Sequence, residues 1–381
     1  MIVALARKTL LHEWRRFFPA VLAVAFSGLL LLVQTALVLG IFGSAAVFID
    51  KSQGDLWIGY PGTRSVELGR AIPLDSEIWL RLDPAVARVE AFLWVDGDWR
   101  SRTGQGAVSV SVSGIEPGAA GLMFARALPT ELRERLRQPD SVIVDRADLD
   151  KLGVSVGARA RINGRQVQVV GAAQQLRALG GVNILASLDT ARHLRSVGDS
   201  SDDDRRMTYY VVKLHDPDAA QAVAARLNRE AARHGFEAWT SSEFSQRAVR
   251  FWMFETGAGL GVLFMSLVVC VVGVVITSQT LMAAVAGSVN EYATLHALGV
   301  GLRELRRVVI EQAAWVGAGG LLIGALGSAG ALVLASQHEV PVALGVIPSL
   351  VCAGLVMTIS LLSGLAAVRV LRHADAANLL R

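Results

Sequence analysis

The sequence predicts an α-helical membrane protein with four transmembrane helices and a large α+β extracytoplasmic domain inserted between helices 1 and 2. Three observations carry this prediction. The 381 residues are 52% hydrophobic and only 18% charged, with a mean hydropathy of +0.45, too apolar for an ordinary soluble domain. Four stretches, 19–40, 257–285, 308–335 and 342–368, lack Lys and Arg, and each reaches the ~20 residues that cross a bilayer as a helix. Residues 41–250 hold 27 of the 37 Lys and Arg and 26 of the 33 Asp and Glu, so most charge falls in one near-neutral block of domain size.

In order, the chain divides into a cytoplasmic segment 1–18, a first span 19–42, an extracytoplasmic domain 43–250 and a second span 257–285. A cytoplasmic loop 286–307, a third span 308–335, a fourth span 342–368 and a cytoplasmic tail 369–381 follow. Orientation comes from the basic flanks, since Lys and Arg beside spans are retained in the cytoplasm. Arg7, Lys8, Arg15 and Arg16 precede span one, Arg303, Arg306 and Arg307 precede span three, and Arg369, Arg372 and Arg381 follow span four. Alternating helices put all three groups on one side, with both termini cytoplasmic. The connection 336–341 has no Lys or Arg and fits the other side. The first apolar run is too long for a cleaved signal peptide, whose apolar region is roughly 7–15 residues. Cys270 and Cys352 lie within spans and indicate no disulfide.

Inside the large domain, residues 53–100 mix turn residues with short apolar pieces and favour strands and turns. The period-two run 108–112 reads as a half-buried strand, and 129–137 as a short helix with acids at its start and arginines at its end. The stretches 158–162 and 166–170 alternate around Asn163-Gly164, the strongest short hairpin signal. A strand over 207–214, a helix over 219–234 begun by Asp216-Pro217 and stopped by Gly235, and a strand over 236–239 form the clearest unit. Thr240-Ser-Ser-Glu243 has capping-box spacing, and the helix it starts is expected to run through Phe251, Trp252 and Phe254 directly into span two.

Few motifs promise chemistry of the chain's own. Gly153-Val-Ser155-Val-Gly157 matches the hydrolase elbow pattern, but a hairpin rather than a helix follows Ser155. Asp199, Asp202, Asp203 and Asp204 lack Ca²⁺-loop spacing, and the histidines show no paired metal spacing, so no metal is expected. No Gly-Lys dipeptide occurs, which excludes a P-loop and requires any ATP hydrolysis to come from a partner; no cofactor is expected. Glu255 and Glu311 are the ionisable groups in or beside the spans, too few for a proton relay. Gln34, Thr35, Thr277, Ser278 and Gln279 read as interhelical glue. Gly257 with Gly261, and Gly320 with Gly324, form GxxxG pairs that Gly317, Gly319 and Gly327 extend; they support helix packing within one chain or across a dimer.

The loop between spans two and three is the most informative stretch. Leu295 and Leu298 form an apolar stripe beside Glu291, Thr294 and His296, and Gly299 and Gly301 end it: a short surface helix suited to a groove on another protein, with a membrane-surface turn as the alternative. Glu291-Tyr292-Ala-Thr-Leu295-His296-Ala-Leu298-Gly299 resembles the E-(F/Y/I)-(G/A)-x-L-(R/K)-A-(L/I)-G signature of FtsX/MacB-like ABC transporter permeases. Glu311 with Gly319, Gly320, Gly324 and Gly327 is similar to that family's third span. Residues 49–58 resemble the DevC-type branch, and 152–157 with Asn163-Gly164 and 169–171 resemble the MacB-like periplasmic domain. Two positions depart from the pattern: His296 replaces a usual Arg or Lys, and the tail lacks the common proline.

The resemblance implies a non-enzymatic permease in the cell inner membrane with its large domain in the periplasm, bound to a cytoplasmic ABC ATPase and paired with a second permease copy. Glu291, Tyr292, Leu295, His296, Leu298 and Gly299 would then couple to the ATPase. The DevC-type branch implies a periplasmic membrane-fusion adaptor and an outer-membrane channel. Membrane lipid around the spans is a further expected partner, and nucleic acid is not expected. Export of a lipid-like or amphiphilic substrate is the expected function. Lipoprotein release, transmembrane signalling, and a stand-alone membrane receptor or hydrolase are the alternatives.

Overall fold

A computed structural model describes residues 14–73, 75–101, 106–179, 181–195, 206–231, 235–287, 294, 301–337 and 340–373. The chain forms two compact units, Met1–Gly40 with Gly259–Arg381, and Ile41–Ala258.

Helix α1 (Trp14–Gly43) continues through a 3₁₀ turn, Ser44–Ala46, into α2 (Val47–Asp50), so helical residues run unbroken from Trp14 to Asp50. Next come β1 (Leu56–Gly59), α3 (Asp75–Leu82), β2 (Val86–Ser101), β3 (Val108–Ile115), α4 (Thr130–Arg135) and β4 (Ser141–Asp145). They are followed by α5 (Leu149–Leu152), β5 (Arg159–Ile162), β6 (Arg165–Ala173), β7 (Val182–Ser187), α6 (Leu188–Leu194) and β8 (Tyr209–Leu214). The larger unit closes with α7 (Ala220–Ala231), β9 (Glu237–Thr240) and α8 (Ser241–Arg250). Helices α9 (Ala258–Gly287), α10 (Leu302–Gln337) and α11 (Val346–His373) complete the described chain.

Strand β2 is long enough to serve two sheets. Its first half, Val86 to Phe92, pairs with β8, and β8–β1–β9 continue an antiparallel four-stranded sheet. Its second half pairs with β3 on one side and β5 on the other, and the sequence β3–β7–β4–β6–β5 returns to β2, closing a ring of six strands. Alternate residues fill the ring: Val110 and Val112, Val142 and Val144, Val167 and Val169, Val182 and Ile184 all belong to one buried cluster. Gly97 faces the same space, where a Cβ would stand 2.7 Å from a methyl of Ile162, so the crowded interior excludes a side chain there. Trp99 plugs it, donating its indole N–H to the Leu152 carbonyl at 3.0 Å.

The four-stranded sheet is buried on both faces. Leu56, Ile58, Tyr210, Val212 and Ala238 join the core that α7 covers through Val223 and Leu227. Trp57, Tyr209, Val211 and Trp239 point the other way, onto Phe48 of α2 and Phe244 of α8. This explains why β8 reads as a continuous apolar run rather than an alternating one. Local chemistry sets the ends: Asn163 and Gly164 take φ of +51° and +79° at the β5–β6 turn, Gly235 takes +69° after α7, and Thr240 accepts the Glu243 N–H at 3.2 Å to cap α8.

Two expectations are corrected. Within 53–100, α3 is a helix; it has Asp75 and Glu77 in its first turn, a Glu77–Arg81 pair at 2.8 Å and Pro84 beyond its end. Helix α8 does not continue straight into span two. Phe251–Glu255 adopt π geometry, and Gly257, at φ +78°, separates them from α9, because left-handed backbone cannot propagate a right-handed helix.

Among the described residues, Trp14–Asp50, Ala258–Thr280, Arg306–Gln337 and Val346–Leu365 are helical segments long and apolar enough to cross a membrane.

Candidate functional site

In the helical unit, glycines on α10 let α1 approach to backbone distance. A Cβ on Gly324 would stand 2.6 Å from the Ala25 carbonyl oxygen; one on Gly320 would stand 2.6 Å from Val24 Cβ and 3.0 Å from the Val21 carbonyl oxygen. Gly327 faces Leu29 at 2.8 Å, and Gly319 meets only Val21, at 3.9 Å. One turn earlier, Gly317 faces Ser360 and Met357 of α11 at 2.9 and 3.0 Å. Close approach of this kind replaces the hydrophobic effect, which lipid does not supply, as the source of helix adhesion. At Gly257 and Gly261 nothing described lies within 4 Å, so this GxxxG pair packs no helix within the described chain.

Polar groups tie the same helices together. Thr35 and Cys352 lie 3.4 Å apart between α1 and α11, Ser278 and Ser363 2.9 Å apart between α9 and α11, and Ser360 donates to the Ala313 carbonyl at 2.7 Å. Gln34 donates to the Val262 carbonyl at 3.4 Å, and Gly273 leaves room for Ser27. Thr277 is buried, whereas Gln279 faces outward. Apart from Gln279, these side chains are buried or bonded between helices, and they form no row of ionisable groups. The residues expected to couple to an ATPase, Glu291, Tyr292, Leu295, His296, Leu298 and Gly299, lie outside the described residues, as do Asp199 and Asp202 to Asp204.

The helix entering the large unit from span one is held at its tip. Val47, Phe48 and Ile49 are buried, and Phe48 meets Phe92, Trp94 and Phe124 with ring centroids 5.2–6.3 Å apart. Ser52 donates to the Phe48 carbonyl at 2.6 Å and accepts the Phe124 N–H at 3.0 Å. Arg126 covers the helix end, its N–H on the Lys51 carbonyl at 2.9 Å and its guanidinium on the Asp50 carbonyl at 3.1 Å. Phe124 takes φ +54°, an uncommon conformation for a bulky residue that these contacts hold.

Behind that loop, Glu90 on β2 and Arg133 on α4 are buried together, 4.0 Å apart. Glu90 accepts the N–H groups of Glu116 and Met123 at 3.1 Å each, and that of Leu122. Arg133 donates to the Glu116 carbonyl at 2.9 Å and to that of Met123. Burial pushes the Glu90 carboxyl above its usual range despite these donors, and pushes Arg133 down. Nothing in the sequence marks this pair; the alternation along β2 places Glu90 toward the loop, but only the fold places Arg133 beside it.

Sites of chemistry are sparse. Ser155 is exposed, and the next element is strand β5, so an elbow is absent there. Among the described residues no three His, Cys, Asp or Glu are grouped to hold a metal. A cleft of about 340 Å³ beside α2 is lined by Asp50, Arg126 and the serines of the first turns of α8.

Residues 17–230, over half the chain, match the MacB-like periplasmic core domain, and residues 263–376 match the FtsX-like permease C-terminal domain. The chain belongs to the FtsX/MacB-like family of ABC transporter permeases. No curated protein matches this permease significantly. Among solved structures, the periplasmic region of MacB from Actinobacillus actinomycetemcomitans is 15% identical, covering 52% of the permease and 94% of its own chain, at a TM-score of 0.35. The extracellular domain of the noncanonic ABC-type transporter YknZ from Gram-positive bacteria is 12% identical, covering 49% and 99%, at 0.34. A domain of a putative permease protein from Porphyromonas gingivalis is 14% identical, covering 49% and 86%, at 0.27. Family membership makes the chain a membrane subunit of an ABC transporter and implies an ABC ATPase partner.

Proposed function

We propose that this permease sits in the inner membrane with both termini in the cytoplasm, and that ATP hydrolysis by its partner moves the large domain in the periplasm to export a lipid-like or amphiphilic substrate. The observation that carries the reading is the joining of FtsX-like helices to a MacB-like domain in one chain without a Gly-Lys dipeptide. The helix contacts support it, since backbone-close packing through Gly320 and Gly324 suits helices acting as levers better than helices lining a polar path. In this reading Glu291, Tyr292, Leu295, His296, Leu298 and Gly299 form the helix that seats in the ATPase, and a second copy completes the transporter. A periplasmic adaptor and an outer-membrane channel continue the route, as in the DevC-type branch.

Affinity purification of the tagged chain in mild detergent tests this. Recovery of a Walker-motif ATPase, lost on Leu298→Asp while membrane insertion persists, is the expected result. Clean isolation without an ATPase under conditions that preserve such complexes would overturn the coupling role and favour a stand-alone receptor.

A further inference from the structure

The large domain is joined to span one and span two by segments of different character. On the span-one side the helix is unbroken and its tip is buried. On the span-two side the chain leaves α8 through the π segment Phe251–Glu255, where the i→i+4 ladder is already lost, and then turns left-handed at Gly257. Two side-chain contacts fasten this segment to the loop after β1. The Trp252 indole N–H donates to Ser65 Oγ at 3.1 Å, and Glu255 pairs with Arg64. The loop itself is fixed to the domain: Gly62 N–H donates to Glu237 at 2.7 Å and the Tyr209 hydroxyl donates to the Val66 carbonyl at 2.9 Å. Ser65 is fully buried, while Arg64 and Glu255 remain 56% and 42% exposed.

We infer that Phe251 to Thr256 form a releasable clasp on the Arg64–Ser65 loop, with Gly257 as the pivot about which span two swings when the clasp opens. The physical case is one of unequal strengths. An exposed ion pair contributes little and is screened by salt, and a π turn is a weak continuation of a helix, so the segment opens at lower cost than the aromatic core beneath it. The loop stays behind on release because Glu237 and Tyr209 hold it independently. Glycine at the pivot adopts φ +78° without strain and has nothing within 4 Å of a Cβ position, so its conformation, not its packing, explains its presence. The device belongs to this chain alone and stands whether or not an ATPase binds.

Hydrogen exchange of the full-length permease in nanodiscs tests it. Arg64→Gln combined with Trp252→Phe is expected to speed exchange of the amides of 251–256 at least tenfold while Ser241–Arg250 keeps its protection. Raising salt is expected to speed the same amides in the unaltered chain. Unchanged exchange, or acceleration that spreads through Ser241–Arg250, would overturn the clasp. At the pivot, Gly257→Asn tolerates the left-handed region and is expected to leave the pattern intact. Gly257→Ala is expected to join the helices and protect the amides of 258–261, which begin α9 without intrahelical acceptors. Equal exchange in the two variants would overturn the pivot.

Discussion

Glu90 and Arg133 are both withdrawn from solvent, so removing either strands the other as an uncompensated buried group. Glu90→Ala is expected to destabilise the large domain by about 3–5 kcal/mol, with Glu90→Gln milder, because an amide still accepts N–H bonds; chemical denaturation measures both. The pH dependence follows from the sign of the shift. A carboxyl raised by burial binds its proton more readily in the folded state, so its contribution is full below the ordinary carboxylate range and is lost as pH rises through the elevated value. Asp83 behaves oppositely: the hydrogen bond from Arg226 lowers it, so its contribution is present above its ordinary range and is lost as pH falls through the lowered value. Glu90→Gln should therefore flatten the loss of stability above the ordinary carboxylate range, and Asp83→Asn the loss on acidification. Melting temperatures across pH distinguish the two.

Helix α10 shows how a pattern of small residues becomes a specific contact. The glycine spacing is legible in the sequence, but its partner is not, since GxxxG fits any helix. The structure separates Gly320 and Gly324, against the backbone of α1, from Gly261 and Gly330, where nothing lies within 4 Å. Gly324→Ala is expected to weaken the helical unit by about 1–3 kcal/mol through overpacking, whereas Gly330→Ala should be neutral or slightly stabilising; unfolding in mixed micelles of SDS checks the ranking. Other elements divide along the same line. The β5–β6 hairpin and the capped starts of α8 and of the α7 unit are written in two to four adjacent residues, and local chemistry decides them. The ring of six strands depends on pairings such as β2 with β5, 59–63 residues apart, which no local pattern reveals. The break before α9 is missed because apolar periodicity runs on through Phe251, Trp252 and Phe254, while one left-handed glycine stops the helix.

At the scale of the whole molecule, the large unit should fold when separated from the helices, because both of its cores lie within Ile41–Ala258. It should not survive well without the tip of the first helix. A fragment beginning at Gln53 loses Phe48 and is expected to be at least about 3–5 kcal/mol less stable than one beginning at Ile41, the usual cost of deleting a buried phenylalanine side chain; near-UV circular dichroism during urea titration measures the difference. The order of the strands also governs how the protein is made. Strand β1 sits between β8 and β9, so Trp57 waits for Trp239, 182 residues later, before its sheet is complete. At ~5–20 residues per second of synthesis, that interval is ~10–40 s. Until β8 is made the edges of β1 and the first half of β2 have no neighbours, and high contact order slows closure once the last strand arrives. Biogenesis of this permease therefore calls for a holding chaperone on the side of the membrane where the large domain emerges, and shortage of that chaperone, rather than failure of helix insertion, is what should limit its yield.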